Sequence, residues 1–160
     1  MASTPDPDRF RTVFGHFATG VAVITAAGPA GEGGMTANAV CSVSLDPPLA
    51  LVCFEQSART LPIVREAGRF AVNVLRAGSE DVARVFASKV PEADKLRDAP
   101  HRREEGQPIL DAALAWVVCE LRDLIPAGDH EIAIGRVVAM DLADGEPLLW
   151  YRGGYRALLD

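Results

Sequence analysis

Apolar and polar positions alternate along this chain with a period that changes several times. Phe10, Val13, Phe14 and Phe17 follow the i, i+3, i+4, i+7 spacing of one helix face, with Asp8 ahead of them, and predict a short amphipathic helix. Gly20 ends it. Val21 to Ala26 then reads as a strand rich in β-branched residues, closed by the turn-forming GPAGEGG of residues 28–34. A second strand is expected from Met35 to Leu45, broken by Asp46-Pro47-Pro48, and Leu49 to Phe54 is a continuous apolar run of buried-strand length. Thr60, Pro62 and Gly68 punctuate a second helix as cap, first turn and exit. Arg69 to Leu75 alternates as a strand, and Ser79-Glu80-Asp81 opens a third helix with Val82, Val85 and Phe86 on its apolar face.

From Val90 to Gln107 periodicity stops, and two prolines with a run of charges predict a surface loop or flap over residues 90–107. Two long strands follow, Ala113 to Asp123 and Glu131 to Leu142, joined by a turn at Pro126 to Asp129. Trp150 to Arg156 suggests a last short strand and bend. Six or seven strands with three short helices and no βαβα order predict a mainly β fold, an antiparallel barrel with peripheral helices.

The 160 residues, 49% hydrophobic, suit one domain spanning 1–160, with residues 1–8 expected to be disordered. Cys41, Cys53 and Cys119 are odd in number and form neither a CxxC pair nor a zinc spacing, which points to a reduced, cytoplasmic setting. With 16 Lys and Arg against 22 Asp and Glu, the net charge of −6 argues against nucleic acid. No apolar run reaches the roughly 18 to 20 residues of a membrane span, and no basic region with an apolar stretch opens the chain, so neither insertion nor export is expected. GxSxG, HExxH, P-loop and GxGxxG patterns are absent, and His16, His101 and His130 show no ligand spacing, so no metal is expected.

Two stretches carry candidate chemistry. The strand from Met35 through Thr36, Ala37, Asn38, Ala39, Cys41 and Ser42 is unusually rich in small and hydroxylated residues. Such a strand lets a planar ligand reach backbone amides, although a tightly packed barrel strand with Thr and Ser facing solvent has the same composition. Ser57, Arg59 and Thr60 stand where a strand gives way to a helix, which fits either a phosphate or plain capping by Thr60 with Arg59 in solvent.

Taken in order, FATGVAVIT (17–25), GMTANAVCSVSLDPPLALVCF (34–54), FAVNVL (70–75), FASK (86–89), GDH (128–130) and PLLWYRG (147–153) resemble the short-chain flavin reductases of the FMN-binding split-barrel superfamily. These are the reductase components of two-component flavin-dependent monooxygenases. The resemblance implies an antiparallel split β-barrel of Greek-key-like order that passes hydride from NADH or NADPH to FMN or FAD, with no catalytic acid or base. It implies a homodimer and a separate monooxygenase that receives the reduced flavin.

It further implies that Met35 to Ala39, Cys41 and Ser42 line the isoalloxazine, and that Ser57, Arg59 and Thr60 hold the phosphate. Phe86 and Lys89 would close over the flavin; read alone, they are a core anchor and a solvated charge. His130 would orient the nicotinamide nucleotide with help from Tyr151 and Arg152, although a lone histidine after a turn is also an ordinary exposed residue. One departure is Leu96, which follows Asp94-Lys95 where family members often carry Phe. Other readings compatible with the pattern are a split-barrel flavoprotein with tightly held FMN, either an oxidase or an F420-dependent reductase, and a non-catalytic flavin-binding module.

Overall fold

The structure, a computed structural model, describes residues 4–159. The expected disorder at 1–3 lies outside the described residues, whereas Pro7 and Asp8 form the first turn of α1 (Pro7–Phe14), which Asp6 caps by accepting the Asp8 amide at 3.2 Å. The strands β1 (Thr19–Gly20), β2 (Ala22–Gly28), β3 (Gly31–Ala37), β4 (Val40–Leu45) and β5 (Pro48–Glu55) follow. Next come α2 (Thr60–Ala67), β6 (Arg69–Leu75), α3 (Glu80–Ala87) and α4 (Glu92–Arg97). The chain continues through β7 (His101–Glu104), β8 (Gln107–Leu110), β9 (Ala113–Ala127), β10 (His130–Leu142), β11 (Leu149–Tyr151) and β12 (Gly154–Arg156).

Seven strands form one antiparallel sheet in the order β3-β2-β6-β9-β10-β5-β4. Its two edge strands, β3 and β4, are consecutive in the chain but do not pair. The single strand expected from Met35 to Leu45 is therefore two, parted at Asn38-Ala39. The barrel is split there, not closed by hydrogen bonds.

Both faces of the sheet are covered, which explains the unbroken apolar run in β2. Ala22, Ile24 and Ala26 point into the barrel with Val52, Phe54, Phe70 and Cys119. Val21, before β2, and Val23 face outward to Phe86, Leu96, Leu110 and Leu148.

Residues 90–107 depart most from expectation. They hold α4, β7 and the start of β8 in place of an open flap, and Lys95, Leu96 and Gln107 are buried. Leu96 fills the core between α4 and the sheet, so it serves packing. The face of α1 also differs: Phe10, Val13 and Phe14, with Phe17 beyond the helix, are 59–71% exposed and meet no core in this chain. Among the described residues no helix is long and apolar enough to cross a membrane.

Candidate functional site

A cavity of about 710 Å³ opens beside the split, within the roughly 300–1,000 Å³ usual for small-molecule sites. Met35, Thr36 and Ala37 from the end of β3, with Asn38 and Ala39 from the linker, form one wall. Ser57, Arg59 and Thr60 come from the β5–α2 junction, Phe86 and Lys89 from the end of α3 and beyond it, and His130 from the start of β10. The structure thus gathers most of the residues singled out in the sequence.

Two glycines let the helices approach this wall. A Cβ on Gly34 would meet the Phe86 ring at 2.9 Å, and one on Gly33 would meet the Glu92 side chain at 2.6 Å. Thr36 donates its hydroxyl to the Ala83 carbonyl at 2.6 Å, so it holds α3 to β3 in place of offering that proton to a ligand. Phe86 is 1% exposed and serves both as core anchor and as cavity lining, while Lys89 is exposed. Ala37 and Ala39 leave the backbone approachable, and the Ala39 carbonyl accepts the Cys53 amide at 3.0 Å, fixing the linker to β5.

The positive end of the cavity is held by a carboxylate. Thr60 does not cap α2: the cap position is Arg59, with no side-chain capping bond, and the buried Thr60 hydroxyl donates to Glu92 at 2.9 Å. Arg59 donates to the Val90 carbonyl at 2.9 Å and stands 3.6 Å from Glu92. Ser57 donates to Glu55 at 3.3 Å. Arg59 and Lys89 remain the exposed cations of this compartment.

His130 follows the two-residue turn Gly128-Asp129, where Gly128 takes φ +64°, a conformation glycine adopts without strain. Its Nδ1 lies 2.7 Å from the Asp129 carboxylate. That hydrogen bond, and then the charge of the ring when protonated, holds Asp129 below the usual carboxylate range. With Nδ1 donating, Nε2 of the neutral ring is left as an acceptor.

A second cavity of about 740 Å³ shares Ala37, Asn38, Ala39 and Cys53 with the first, so the two meet at the split. Cys41 lines this one, with Phe10, Phe14 and Phe17 at its edge. The buried Thr19 hydroxyl on its lining has no hydrogen-bond partner among the described residues, a polar group that a ligand could satisfy.

Three expected residues lie elsewhere. Ser42 pairs with Ala50 inside β4, beyond the split, and lines neither cavity. Tyr151 packs edge-on against His16 at 6.2 Å, and the Arg152 amide bonds the Gly15 carbonyl at 2.8 Å, which turns both toward α1. Their neighbours Trp150 and Tyr155 line a smaller hollow of about 220 Å³ that shares Thr36, Ala37 and Asn38 with the main cavity. Cys53, Glu55, Glu92 and Lys95 also line the main cavity and were missed, because each reaches it through long-range pairing or through the misread 90–107 segment.

The sequence model of the flavin reductase like domain matches the chain over residues 14–159. The chain belongs to the flavin reductase-like domain family. It is 46% identical over 151 residues to a probable flavin reductase of Rhizobium meliloti, covering 94% of the chain but 48% of that relative. It is therefore about half the length of one of the curated relatives it matches.

Another relative is the reductase component of 4-hydroxyphenylacetate 3-monooxygenase from Thermus thermophilus, 39% identical over 95% of the chain and 97% of the relative. Among solved structures, the NADH:FAD oxidoreductase SgcE6 of Streptomyces globisporus C-1027, in complex with NAD and FAD fragments, superposes with a TM-score of 0.90. It is 36% identical, covering 99% of this chain and 98% of that one. As a flavin reductase-like domain, the chain has the split-barrel fold of these neighbours.

Proposed function

We propose that this flavin reductase-like protein oxidises NADH or NADPH and passes the hydride to FMN or FAD, which leaves reduced for a separate flavin-dependent monooxygenase. One observation carries the reading: a single cavity joins a small-residue wall at Met35 to Ala39 to a cationic end at Arg59 and Lys89, with His130 also on its lining. These residues fit a flavin nucleotide, a broad planar ring with a phosphate tail. When bound, the two nucleotides supply the chemistry, hydride moving from nicotinamide C4 to flavin N5.

The chain supplies binding and orientation. Ala37 and Ala39 admit a ring to within contact of backbone amides, which stabilise negative charge on it. Arg59 and Lys89 oppose the phosphate, and Ser57 adds a hydroxyl. His130, its tautomer set by Asp129, presents Nε2 as an acceptor to the carboxamide NH2 of the nicotinamide nucleotide. No group on the chain has to move a proton.

The reading extends to one domain over 1–160, to a cytoplasmic location consistent with three free cysteines, and to a homodimer. The dimer is supported by Phe10, Phe14 and Phe17 exposed around the second cavity, and by Met140 and Leu142, 70% and 74% exposed, around another hollow of about 400 Å³. A monomer by light scattering would count against it.

The deciding experiment is NADH and NADPH oxidation by the purified protein in air, with FMN, FAD, riboflavin or no flavin added. Oxidation that depends on added flavin and saturates in it is the expected result, and it identifies the preferred pair. Flavin binding without turnover would overturn the reductase reading in favour of a flavin-retaining oxidase, an F420-dependent reductase or a non-catalytic flavin binder.

A further inference from the structure

Glu92 and Lys95 lie three residues apart on α4 and form a buried ion pair beneath the cationic end of the cavity. The Lys95 side chain is 3% exposed, and its ammonium donates to Glu92 at 2.9 Å, to the Phe86 carbonyl at 3.2 Å and to the Gly34 carbonyl at 3.3 Å. Three bonds use all three of its protons. Glu92 Oε2 accepts the Gly34 amide and the Thr60 hydroxyl, each at 2.9 Å, while Oε1 faces Lys95 and lies 3.6 Å from Arg59.

A carboxylate so close to Arg59 works against an anionic ligand: it takes up part of the guanidinium's field and repels phosphate oxygens. Its own hydrogen bonds fix its position. Among the described residues Lys95 is the one cation besides Arg59 paired with Glu92, and its burial keeps solvent from screening the pair.

We propose that the Glu92–Lys95 pair sets the electrostatic balance of the phosphate compartment. Glu92 is a built-in anion tying α4 to β3 and α2, and Lys95 neutralises it so that the charge of Arg59 is available to the ligand. Lys95 is a positioning residue that acts through Glu92 and Arg59. The inference rests on reading this cavity as the flavin-nucleotide site.

The test compares FMN with riboflavin, which carries the same ring and ribityl chain without the phosphate. Dissociation constants are measured by flavin fluorescence for the wild-type chain, Lys95→Met, Glu92→Gln and the double variant Glu92→Gln/Lys95→Met. Expected is a riboflavin-to-FMN ratio that falls roughly tenfold in Lys95→Met, rises in Glu92→Gln and returns to near the wild-type value in the double variant. A merely structural pair would lower both affinities together and make the double variant no better than Lys95→Met.

An unchanged ratio in all variants, or an equal loss for both ligands in all of them, overturns the inference. Where Lys95→Met fails to fold, the Glu92→Gln and double-variant ratios decide between the same outcomes. A wild-type protein that binds both flavins with no preference for FMN removes the phosphate compartment itself. One that turns over flavin and prefers FMN while the variants keep its ratio leaves the function standing and removes only the role of the pair.

Discussion

The Asn73 side-chain amide donates to the Thr25 hydroxyl at 3.1 Å where β6 runs beside β2, and both side chains are fully buried. The same nitrogen donates to the Val23 carbonyl at 3.0 Å, and the Asn73 oxygen accepts the Leu110 amide at 2.8 Å. Thr25 in turn donates to the Pro108 carbonyl at 2.6 Å. Gln107 completes the set, exchanging hydrogen bonds with the Ala27 amide and carbonyl at 2.9 and 3.1 Å. This polar network fastens β8 across the outside of β2 and β6.

Replacing Asn73 leaves several buried groups unpaired at once. Asn73→Ala is expected to cost about 2–4 kcal/mol of unfolding free energy, and Thr25→Val, which strands mainly the Pro108 carbonyl, about 1–2 kcal/mol. Denaturant titration followed by Trp fluorescence measures both. An Asn73→Ala loss no larger than that of Thr25→Val would mean that the network does not act as a unit.

The same network explains what the sequence hid. β6 was legible as a strand, but its half-exposed alternation was not what the fold uses: Phe70 to Asn73 are all buried, because β8 covers the face that the pattern assigned to solvent. Residues 90–107 looked like a loop because their partners lie far along the chain. Gln107 pairs with Ala27, 80 residues earlier, and Lys95 with Gly34, 61 residues earlier, contacts that leave no trace in local periodicity.

Gly33 and Gly34, just ahead of the wall, must lack side chains to admit Glu92 and Phe86, while the wall itself was legible as a run of small and hydroxylated residues from Met35 to Ser42. Thr60 shows the limit of that method. A Thr at a helix start reads as a cap, and only the fold reveals Glu92 as its partner.

Arg59 offers the direct check on the anion end of the cavity. Its guanidinium is half-exposed, bonded to the Val90 carbonyl and within 3.6 Å of Glu92. Arg59→Ala is expected to weaken FMN binding roughly tenfold, the worth of one charge-assisted hydrogen bond, while riboflavin affinity stays within about twofold. Equilibrium titration of both flavins reads the difference. Unchanged FMN affinity would remove Arg59 from the phosphate site, and equal losses for both flavins would make it a support of the 88–92 segment only.

Cys119 links the barrel core to pH. It lies inside the barrel opposite Phe70, and burial pushes its thiol up from 9.0 to about 12. The folded-state value is raised, so the contribution is fully present below about pH 9. As pH rises, the unfolded chain ionises first, and stability drops by up to about 1.4 kcal/mol per pH unit until the folded thiol also ionises near 12. Cys53, raised by burial and then by Cys41, adds to the decline in the same direction.

Cys119→Ala lacks the larger part of this alkaline slope. At about pH 8 the variant is expected to be less stable than wild type by about 1–2 kcal/mol, from the atom lost in a packed core. By pH 10.5 the difference should move by about 2 kcal/mol in the variant's favour, closing the gap or reversing its sign, because only wild type continues to lose stability to the Cys119 thiol. Urea titrations of the two proteins at both pH values measure it. A gap that stays constant over the interval would show that the folded thiol ionises as readily as the unfolded one, and so is not held in the apolar interior of the barrel.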